Sequence, residues 1–171
     1  MARLPIIGVL SDTHGYYDEI LDVAFRGATA IVHAGDVGGS GILARLRRVA
    51  PVTAVAGNTD LSLPGDELPR EAELRIEGHR VLVGHILKDV MARHDPVAEG
   101  YSLVITGHSH RAATAWQGGT LFLNPGSAGR ARFGHTRTCA LVELAGARLE
   151  PRIVPLGSGG STEARSAGGR R

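Results

Sequence analysis

The sequence predicts an α/β domain in which two β-sheets pack face to face with helices on their outer sides. Three observations favour this fold class. The first third of the chain alternates short apolar runs with helical spacing, an order typical of a parallel sheet. The second half contains three pairs of strand-like segments around glycine-containing turns, which predicts hairpins. The chain has 171 residues and is 43% hydrophobic, enough for one domain with a buried core.

The parallel half is predicted from five segments. Continuous apolar runs indicate strands that are buried on both faces, and apolar residues three or four apart indicate amphipathic helices. The predicted strands are 5–10, 30–33 and 51–56, and the helices are marked by Ile20, Leu21, Ala24 and Phe25 and by Ile42, Leu43, Leu46 and Val49. A β-α-β-α-β order follows.

The later segments predict antiparallel pairs and one further strand. The pairs are 74–76 with 80–85, 112–116 with 120–124, and 139–144 with 148–154, and the further strand is 103–106. From residue 157 the chain is rich in glycine, serine and arginine and has little apolar surface to bury. We therefore predict a domain over residues 1–156 and a flexible tail over 157–171.

Composition excludes several classes of function. The net charge of +2 gives no electrostatic case for nucleic-acid binding. A single cysteine, Cys139, excludes an internal disulfide framework, and its apolar neighbours predict a buried side chain. We find neither a membrane-spanning apolar run nor a signal-peptide pattern, so we expect a cytoplasmic protein. The expected partner is a small molecule, with self-association left open.

Polar residues follow five of the predicted strands at the point where each strand ends. Because the carboxyl ends of strands line the ligand crevice of open α/β sheets, these loops should converge. Glycine accompanies each of them, which suits tight turns and close backbone approach. The candidate metal ligands in these loops are Asp12, His14, Asp36, Asn58, His85, His108 and His110.

The chemistry of this set predicts two metal ions. Imidazole and carboxylate ligands together suit first-row divalent ions such as Mn, Fe, Co, Ni and Zn. Seven ligands exceed one closed site but fit two ions that share a carboxylate, for which Asp36 is the natural candidate. Two ions roughly 3.5–4 Å apart can hold a hydroxide and clamp the attacking and leaving oxygens of a phosphoryl transfer. An anionic ester is therefore the favoured substrate class.

The motifs, in their order, resemble those of the calcineurin-like metallophosphoesterases, and most closely the small single-domain phosphodiesterases of bacteria and archaea. The resembling motifs are Asp12-x-His14, Gly35-Asp36, Gly57-Asn58, Gly84-His85, Gly107-His108-x-His110 and the turn Asn124-Pro125-Gly126-Ser127. The resemblance implies a four-layer α-β-β-α sandwich of two mixed sheets flanked by helices. It also implies two divalent transition-metal ions, with manganese first among the alternatives, and catalytic roles for Asp36, Asn58 and His85.

The resemblance further implies which ligands serve which ion. Asp36 would serve both ions, and Asn58 would also orient a substrate phosphate oxygen. One ion would take Asp12, His14, Asp36 and His110, and the other Asp36, Asn58, His85 and His108. Many members of the wider superfamily carry a histidine directly after the motif asparagine, where this chain has Thr59. That departure leaves the leaving-group acid unidentified and favours a diester with a good leaving group.

Several other polar residues have plainer interpretations. His33, inside an apolar strand, is predicted to be a hydrogen-bonded structural residue, and Asp60 to brace the asparagine loop. His79 is predicted to be solvated. The loop 130–137, with three arginines and His135, could meet a nucleotide, but we predict a solvated turn. Arg111 could bind substrate phosphate or simply be exposed. The remaining loop histidines, with a weaker case for the rim of the site, are His94 and His135.

Three functions follow from these observations. The leading hypothesis is a metal-dependent phosphodiesterase acting on a small or nucleotide-like diester. The first alternative keeps this site but acts on a phosphomonoester or nucleotide. The second is a protein-binding scaffold of the retromer type, against which the complete ligand set argues; a plain metal-binding or sensor protein has less support.

Overall fold

Two five-stranded mixed sheets form the centre of the protein in a computed structural model that describes residues 3–60, 67–131 and 134–158. The strands are β1 (Ile6–Leu10), β2 (Ala30–His33), β3 (Val52–Ala54), β4 (Glu71–Ile76), β5 (His79–Gly84), β6 (Leu103–Ile105), β7 (Ala112–Gln117), β8 (Thr120–Pro125), β9 (Thr138–Ala145) and β10 (Arg148–Pro155). The helices in these ranges are α1 (Ile20–Ala24), α2 (Ser40–Leu46) and α3 (Leu87–Arg93). The predicted α/β class is confirmed.

The first sheet has the strand order β10-β9-β1-β2-β3. β1, β2 and β3 are parallel, with Ile7 beside Ala30 and Ile31 beside Val52, as the alternating order of the first half predicts. β9 runs antiparallel to β1 and forms a hairpin with β10. The last predicted hairpin therefore extends the parallel sheet, a choice that its local pattern does not determine.

The second sheet has the strand order β4-β5-β6-β8-β7. Its three central strands, β5, β6 and β8, are parallel to one another. The outer strands β4 and β7 are each joined to a neighbour as an antiparallel hairpin. Both predicted hairpins of this region are therefore present.

Alternation along the strands divides the apolar side chains between three layers of packing. Val81 and Val83 belong to the core between the two sheets, whereas Leu82 packs on the outer side against Val90 of α3. On the other side of the molecule, Leu21 of α1 belongs to a core shared with α2 and the first sheet. Helices thus cover both outer faces, and the four-layer α-β-β-α sandwich is confirmed.

Two features of the second half differ from the sequence predictions. Helix α3 was not predicted, because it is short and buries only Val90, so its apolar periodicity is weak. The prediction that His79 is solvated is wrong. Its side chain is buried, and its Nε2 lies 2.8 Å from the carbonyl oxygen of Gly146, in the turn between β9 and β10.

The loop 130–137 is not simply a solvated turn, because Arg137 is 2% exposed. Its guanidinium donates hydrogen bonds to the carbonyl oxygens of Gly129 (2.6 Å) and Ala128 (3.1 Å) and to Oδ2 of Asp18 (2.7 Å). The nearby Cys139 is buried as predicted, and burial raises the pKa of its thiol to about 12.

The end of β10 at Pro155 lies next to the predicted domain boundary at residue 156. Most of the predicted tail, residues 159–171, lies outside the described residues. Among the residues that the structure describes, no helix has the length and apolar character needed to cross a bilayer.

Candidate metal centre

The five predicted loops meet at one end of the sandwich, where β1, β2, β3, β5 and β6 end. Backbone hydrogen bonds join the loops to one another. The amide of Asp12 donates to the carbonyl oxygen of Gly35 at 2.9 Å, and the amide of His14 donates to that of Asp36 at 2.9 Å. The amide of Gly107 bonds in the same way to His85 at 2.9 Å. The candidate ligands are therefore held by main-chain contacts between loops that are distant in sequence.

The backbone at this end of the sandwich is strained. Non-glycine residues with φ in the left-handed region are uncommon, and each costs about 1–3 kcal/mol. Of the six in the described part of the chain, five are candidate ligands: Asp12 (φ 57°), His14 (47°), Asp36 (54°), His108 (68°) and His110 (58°). Such conformations persist only where the surrounding structure imposes them, and they concentrate at functional sites.

Three histidines surround one oxygen of Asp12. Oδ1 lies 3.2 Å from Nε2 of His110, 3.9 Å from that of His85 and 4.0 Å from that of His14. The carboxylate is fully buried, and its other oxygen, Oδ2, accepts a hydrogen bond from the amide of His108 at 3.1 Å. One side of Asp12 is thus fixed by the backbone while the other faces imidazole nitrogens.

Asp36 is divided in the same way. Its Oδ1 accepts hydrogen bonds from the amide of Thr59 (2.9 Å) and from the Thr59 hydroxyl (2.8 Å). Its Oδ2 faces Nε2 of His85 at 3.3 Å and Nε2 of His14 at 3.8 Å. Oδ2 is therefore the oxygen that Asp36 presents to the candidate ligands, a detail that the residue type alone does not reveal.

The buried polar atoms of this cluster suit a cation. Oδ1 of Asp12 and Nε2 of both His14 and His85 are buried without a hydrogen-bond partner in the described part of the chain. Burying such groups without a partner costs free energy, so native structures rarely leave them so. The ligand atoms form two overlapping groups within 4.8 Å, Asp12 with His14 and His110, and Asp12 with Asp36 and His85. These residues fit divalent metal ions.

The other predicted site residues lie beside this cluster. The ring of His108 contacts that of His85 edge to face, with centroids 5.3 Å apart. Asn58 is exposed and lines a pocket together with His85. Arg111 is exposed and lines a separate groove together with His108. The structure thus groups the side chains of five candidate ligands and places His108 and Asn58 at their edge.

Burial and charge act in opposite directions on the pKa values of the site. Burial raises the pKa of Asp12. Burial would also raise the pKa of Asp36, but His85 and the hydrogen bonds from Thr59 hold it well below its usual range. Burial would lower the pKa of His85, yet the carboxylates of Asp36 and Asp12 and a 2.7 Å hydrogen bond from Nδ1 to the carbonyl of Ala34 raise it. That bond turns Nε2 of His85 toward the carboxylates.

His33 is a structural residue, as predicted. Its ring is fully buried, with Nε2 2.9 Å from the Thr13 hydroxyl and Nδ1 3.3 Å from the amide of Gly35. Burial lowers the pKa of His33 to about 3, so the ring is neutral at pH 7. Because the Thr13 hydroxyl donates to the carbonyl of Val37 at 2.8 Å, Nε2 of His33 carries the proton. His33 thus joins the first two ligand loops.

Asp60 braces the asparagine loop, as predicted, and the metal-ligand loop before it as well. Its side chain is 5% exposed and accepts hydrogen bonds from the amides of Val37 (3.0 Å), Gly38 (3.0 Å) and Gly57 (2.9 Å). One carboxylate therefore joins the loop that carries Asp36 to the loop that carries Asn58.

We expect Asp60→Ala to lower the free energy of unfolding by about 3 kcal/mol, because it leaves buried backbone donors without an acceptor. Asp60→Asn keeps one acceptor oxygen and should lose less. Urea titration in EDTA measures both, with the exposed residue change Glu150→Ala as the control. Surface substitutions usually change the free energy of unfolding by less than about 0.5 kcal/mol. A loss that small for Asp60→Ala would show that water replaces the carboxylate.

Two loop glycines allow the close approach that the sequence predicts. A Cβ on Gly57 would lie 2.1 Å from Oδ1 of Asp36, and one on Gly107 would lie 2.0 Å from Oγ of Ser11 and 2.8 Å from Oδ2 of Asp12. Neither position tolerates a side chain without displacing a candidate ligand or its neighbour.

The turn Asn124-Pro125-Gly126-Ser127 contributes more to the site than local turn geometry. Nδ2 of Asn124 donates a 2.7 Å hydrogen bond to the carbonyl oxygen of Gly107, at the start of the loop that carries His108. The hydroxyl of Ser127 donates to the carbonyl oxygen of Asp12 at 3.1 Å. The turn therefore holds the loops that carry Asp12 and His108 by hydrogen bonds to their backbone, a structural reason for it to occur with the ligand motifs.

Sequence patterns missed two arginines near the site. Arg70 and Arg93 line the pocket that contains Asn58 and His85. Arg93 is held by Oε1 of Glu71, which accepts from Nε (3.1 Å) and Nη2 (2.6 Å). No motif marks these arginines, because their position depends on α3 and on the pairing of β4 with β5.

The two weaker candidates lie outside the ligand groups. His94 lies 3.0 Å from Glu99 and 3.3 Å from Glu71, so it belongs to this ion-pair network. It does not take part in either ligand group of the described residues, and neither does His135.

Most of the chain is similar to known proteins. Residues 6–147 match the model of the calcineurin-like phosphoesterase superfamily domain. A probable metallophosphoesterase of Methanothermobacter thermautotrophicus is 33% identical over 165 residues, which cover 90% of this chain and 94% of that protein.

Solved structures share the fold at lower identity. A predicted phosphoesterase of Streptococcus pneumoniae has a TM-score of 0.69 at 22% identity, covering 91% of each chain. A novel archaeal phosphodiesterase has a TM-score of 0.67 at 18% identity, covering 87% of this chain and 99% of its own. Vps29 of Entamoeba histolytica, complexed with Zn²⁺, has a TM-score of 0.66 at 20% identity, covering 88% and 98%. These likenesses show the fold.

Proposed function

The chain belongs to the calcineurin-like phosphoesterase superfamily, and from this premise we propose that it is a metal-dependent hydrolase of a small or nucleotide-like phosphodiester. The observation that carries the proposal is the group of buried nitrogen and oxygen atoms at the carboxyl ends of the strands, which have no hydrogen-bond partner among the described residues. The cytoplasmic location of the protein and its small-molecule partner remain predictions from the sequence.

Two divalent ions are part of the proposal. On the resemblance, Asp12, His14, Asp36 and His110 would hold one, and Asp36, Asn58, His85 and His108 the other. The resemblance makes Mn²⁺ the first choice, and the mixed imidazole and carboxylate set also suits Ni²⁺, Co²⁺, Fe²⁺ or Zn²⁺. When bound, such ions neutralise phosphate charge and lower the pKa of water toward ~7.

The residues of the chain prepare this site for an anionic ester. Asp36 stays ionised because Thr59 and His85 hold its pKa low. His85 presents Nε2 because the Ala34 carbonyl binds its Nδ1. The amide of Asn58 is exposed beside His85, where it can donate to a phosphate oxygen. Arg111, near His108, offers a second cationic donor.

Thr59 favours a diester over a monoester. It stands where many relatives carry a histidine that could protonate the leaving group, and its hydroxyl donates to Asp36. A threonine hydroxyl is a poor acid, and its proton is already donated to Asp36, so Thr59 cannot protonate the leaving group. A diester with a good leaving group needs the least help of this kind.

Initial rates with bis(4-nitrophenyl) phosphate and 4-nitrophenyl phosphate test the proposal, each with Mn²⁺, Ni²⁺, Co²⁺, Mg²⁺ or EDTA. We expect metal-dependent hydrolysis, faster for the diester. Comparable or faster hydrolysis of the monoester would instead support a phosphomonoesterase. If neither ester is hydrolysed with any ion, the result would instead support the second candidate, a protein-binding scaffold. The fold likeness to Vps29 is the observation behind that candidate.

A further inference from the structure

An apolar groove opens beside the metal centre, on the outer face of the second sheet. Its floor includes Phe122 of β8 with Ala113 and Ala115 of β7, and one wall is formed by Ile86 and Leu87 at the start of α3. Phe122 is half-buried, the two alanines are exposed, and Leu87 is 45% exposed. Apolar surface is thus accessible within a concave feature, as in small-molecule sites.

The groove exists because the helix covers only part of the sheet. Leu82, Val104, Phe122 and Ala115 lie side by side across four strands and therefore share one face. Val90 of α3 packs on Leu82 and Val104, and Phe122 lies at the edge of that cluster. Beyond it, β7 places Ala113 and Ala115 on this face, two residues apart, and these small side chains leave the space open.

One end of the groove is formed by the last ligand loop. His108 and Ser109 line it, and the ring of His108 contacts that of His85. Lys88 and Arg111 also line the groove, and no carboxylate does so among the residues that the structure describes. A groove with an apolar floor, two cations in its lining and a candidate metal centre at one end suits a group that is apolar and carries a phosphate.

We propose that this groove binds a nucleobase, the flat aromatic arm on the ester oxygen that stays bonded to phosphorus, while the phosphate lies at the metal centre and the leaving group lies outside the groove. The proposal rests on the proposed phosphodiesterase function. A ring is favoured over an alkyl chain because the alanines leave a flat floor and Phe122 supplies an aromatic partner at its edge. Lys88 and Arg111 attract the negative charge of the same ester.

Two esters with the same leaving group separate the contribution of the arm. Thymidine 5′-(4-nitrophenyl) phosphate carries an aromatic base, and methyl 4-nitrophenyl phosphate carries a methyl group in its place. We expect a KM about tenfold lower for the thymidine ester. Equal KM values would overturn the proposal, whereas the absence of hydrolysis of both esters would contradict the phosphodiesterase function itself.

A substitution in the groove tests whether this surface causes the difference in KM between the two esters. Ala115→Leu fills the floor, and we expect it to raise KM for the thymidine ester about fivefold while changing kcat/KM for the methyl ester less than twofold. The matched control is Ala147→Leu, an exposed alanine in the β9–β10 turn, which should change neither. Equal effects of Ala115→Leu on both esters would refute a site for the arm.

Binding can be observed without turnover. In protein with ¹³C-labelled alanine methyl groups, loaded with Zn²⁺, thymidine 5′-monophosphate should shift the Ala113 and Ala115 signals through its ring current. Methyl phosphate should leave them in place, and Ala115→Leu and Ala113→Ser identify the two signals. If the nucleotide binds and both signals stay unmoved, the groove does not hold the base, whatever the rates show.

Discussion

Asp36→Asn is expected to lower kcat/KM for bis(4-nitrophenyl) phosphate by about 10³-fold or more. The asparagine keeps the volume of the side chain, and its amide oxygen can still accept the hydrogen bonds from Thr59. What it removes is the negative charge at Oδ2, which faces His85 at 3.3 Å and His14 at 3.8 Å. Loss of a ligand shared by both ions would cost several kcal/mol of transition-state stabilisation.

Rates at saturating Mn²⁺, together with Mn²⁺ titration by calorimetry, measure this effect. We expect a weaker metal affinity alongside the lost activity and a native circular dichroism spectrum. Asp95→Asn, at an exposed aspartate, should leave both quantities unchanged. Full activity of Asp36→Asn would refute the assignment of Asp36 as the shared ligand, even if other parts of the site are correct.

Arg137→Met is expected to lower the free energy of unfolding by about 3 kcal/mol, because its buried guanidinium pairs with the half-buried carboxylate of Asp18 and with two carbonyl oxygens. Methionine occupies a similar volume but donates no hydrogen bond. The carbonyl oxygens of Gly129 and Ala128 and the carboxylate of Asp18 all lose a donor. The effect should reach the site, because the amide of Ala128 donates to the carbonyl oxygen of Ser11 at 3.0 Å.

Arg130→Met provides a matched control for this loss. Arg130 is exposed, and its guanidinium lies over the ring of Tyr16 at 4.7 Å, as that of Arg137 does at 5.1 Å. We expect it to cost less than about 1 kcal/mol. Urea denaturation in EDTA measures both variants, and Arg137→Lys, which keeps the charge, should fall between them. A similar loss for Arg130→Met and Arg137→Met would contradict a specific role for burial.

Much of the fold was predictable because its signals are local. The apolar runs of β1, β2 and β6 and the turns of the hairpins depend on neighbouring residues and appear within a few positions of their predicted bounds. Helix α3 was missed for the same reason, since a helix that buries only Val90 leaves almost no periodic pattern. The placement of β9 and β10 beside β1 depends on pairing over more than 130 residues, which no local pattern encodes.

His33 and His79 show how far the burial of a single residue can be predicted from its neighbours in sequence. His33 and His79 both stand near apolar runs, and both are buried. His33 was predicted correctly because its strand is apolar on both sides. His79 was predicted wrongly because its partner, the carbonyl of Gly146, is 67 residues away. Burial of Arg137 escaped prediction for the same reason, because its acceptors are brought together only by the fold.

The family, the sandwich and the candidate ligands can be inferred from the sequence alone, because ligand chemistry depends on residue type and strand ends are marked locally. The orientation of these residues depends on the folded chain. The fold sets Asp12 and Asp36 in left-handed backbone, turns one oxygen of each toward the histidines and uses the other for support. These properties arise from hydrogen bonds between distant loops, and a linear pattern of residue types contains no such distances.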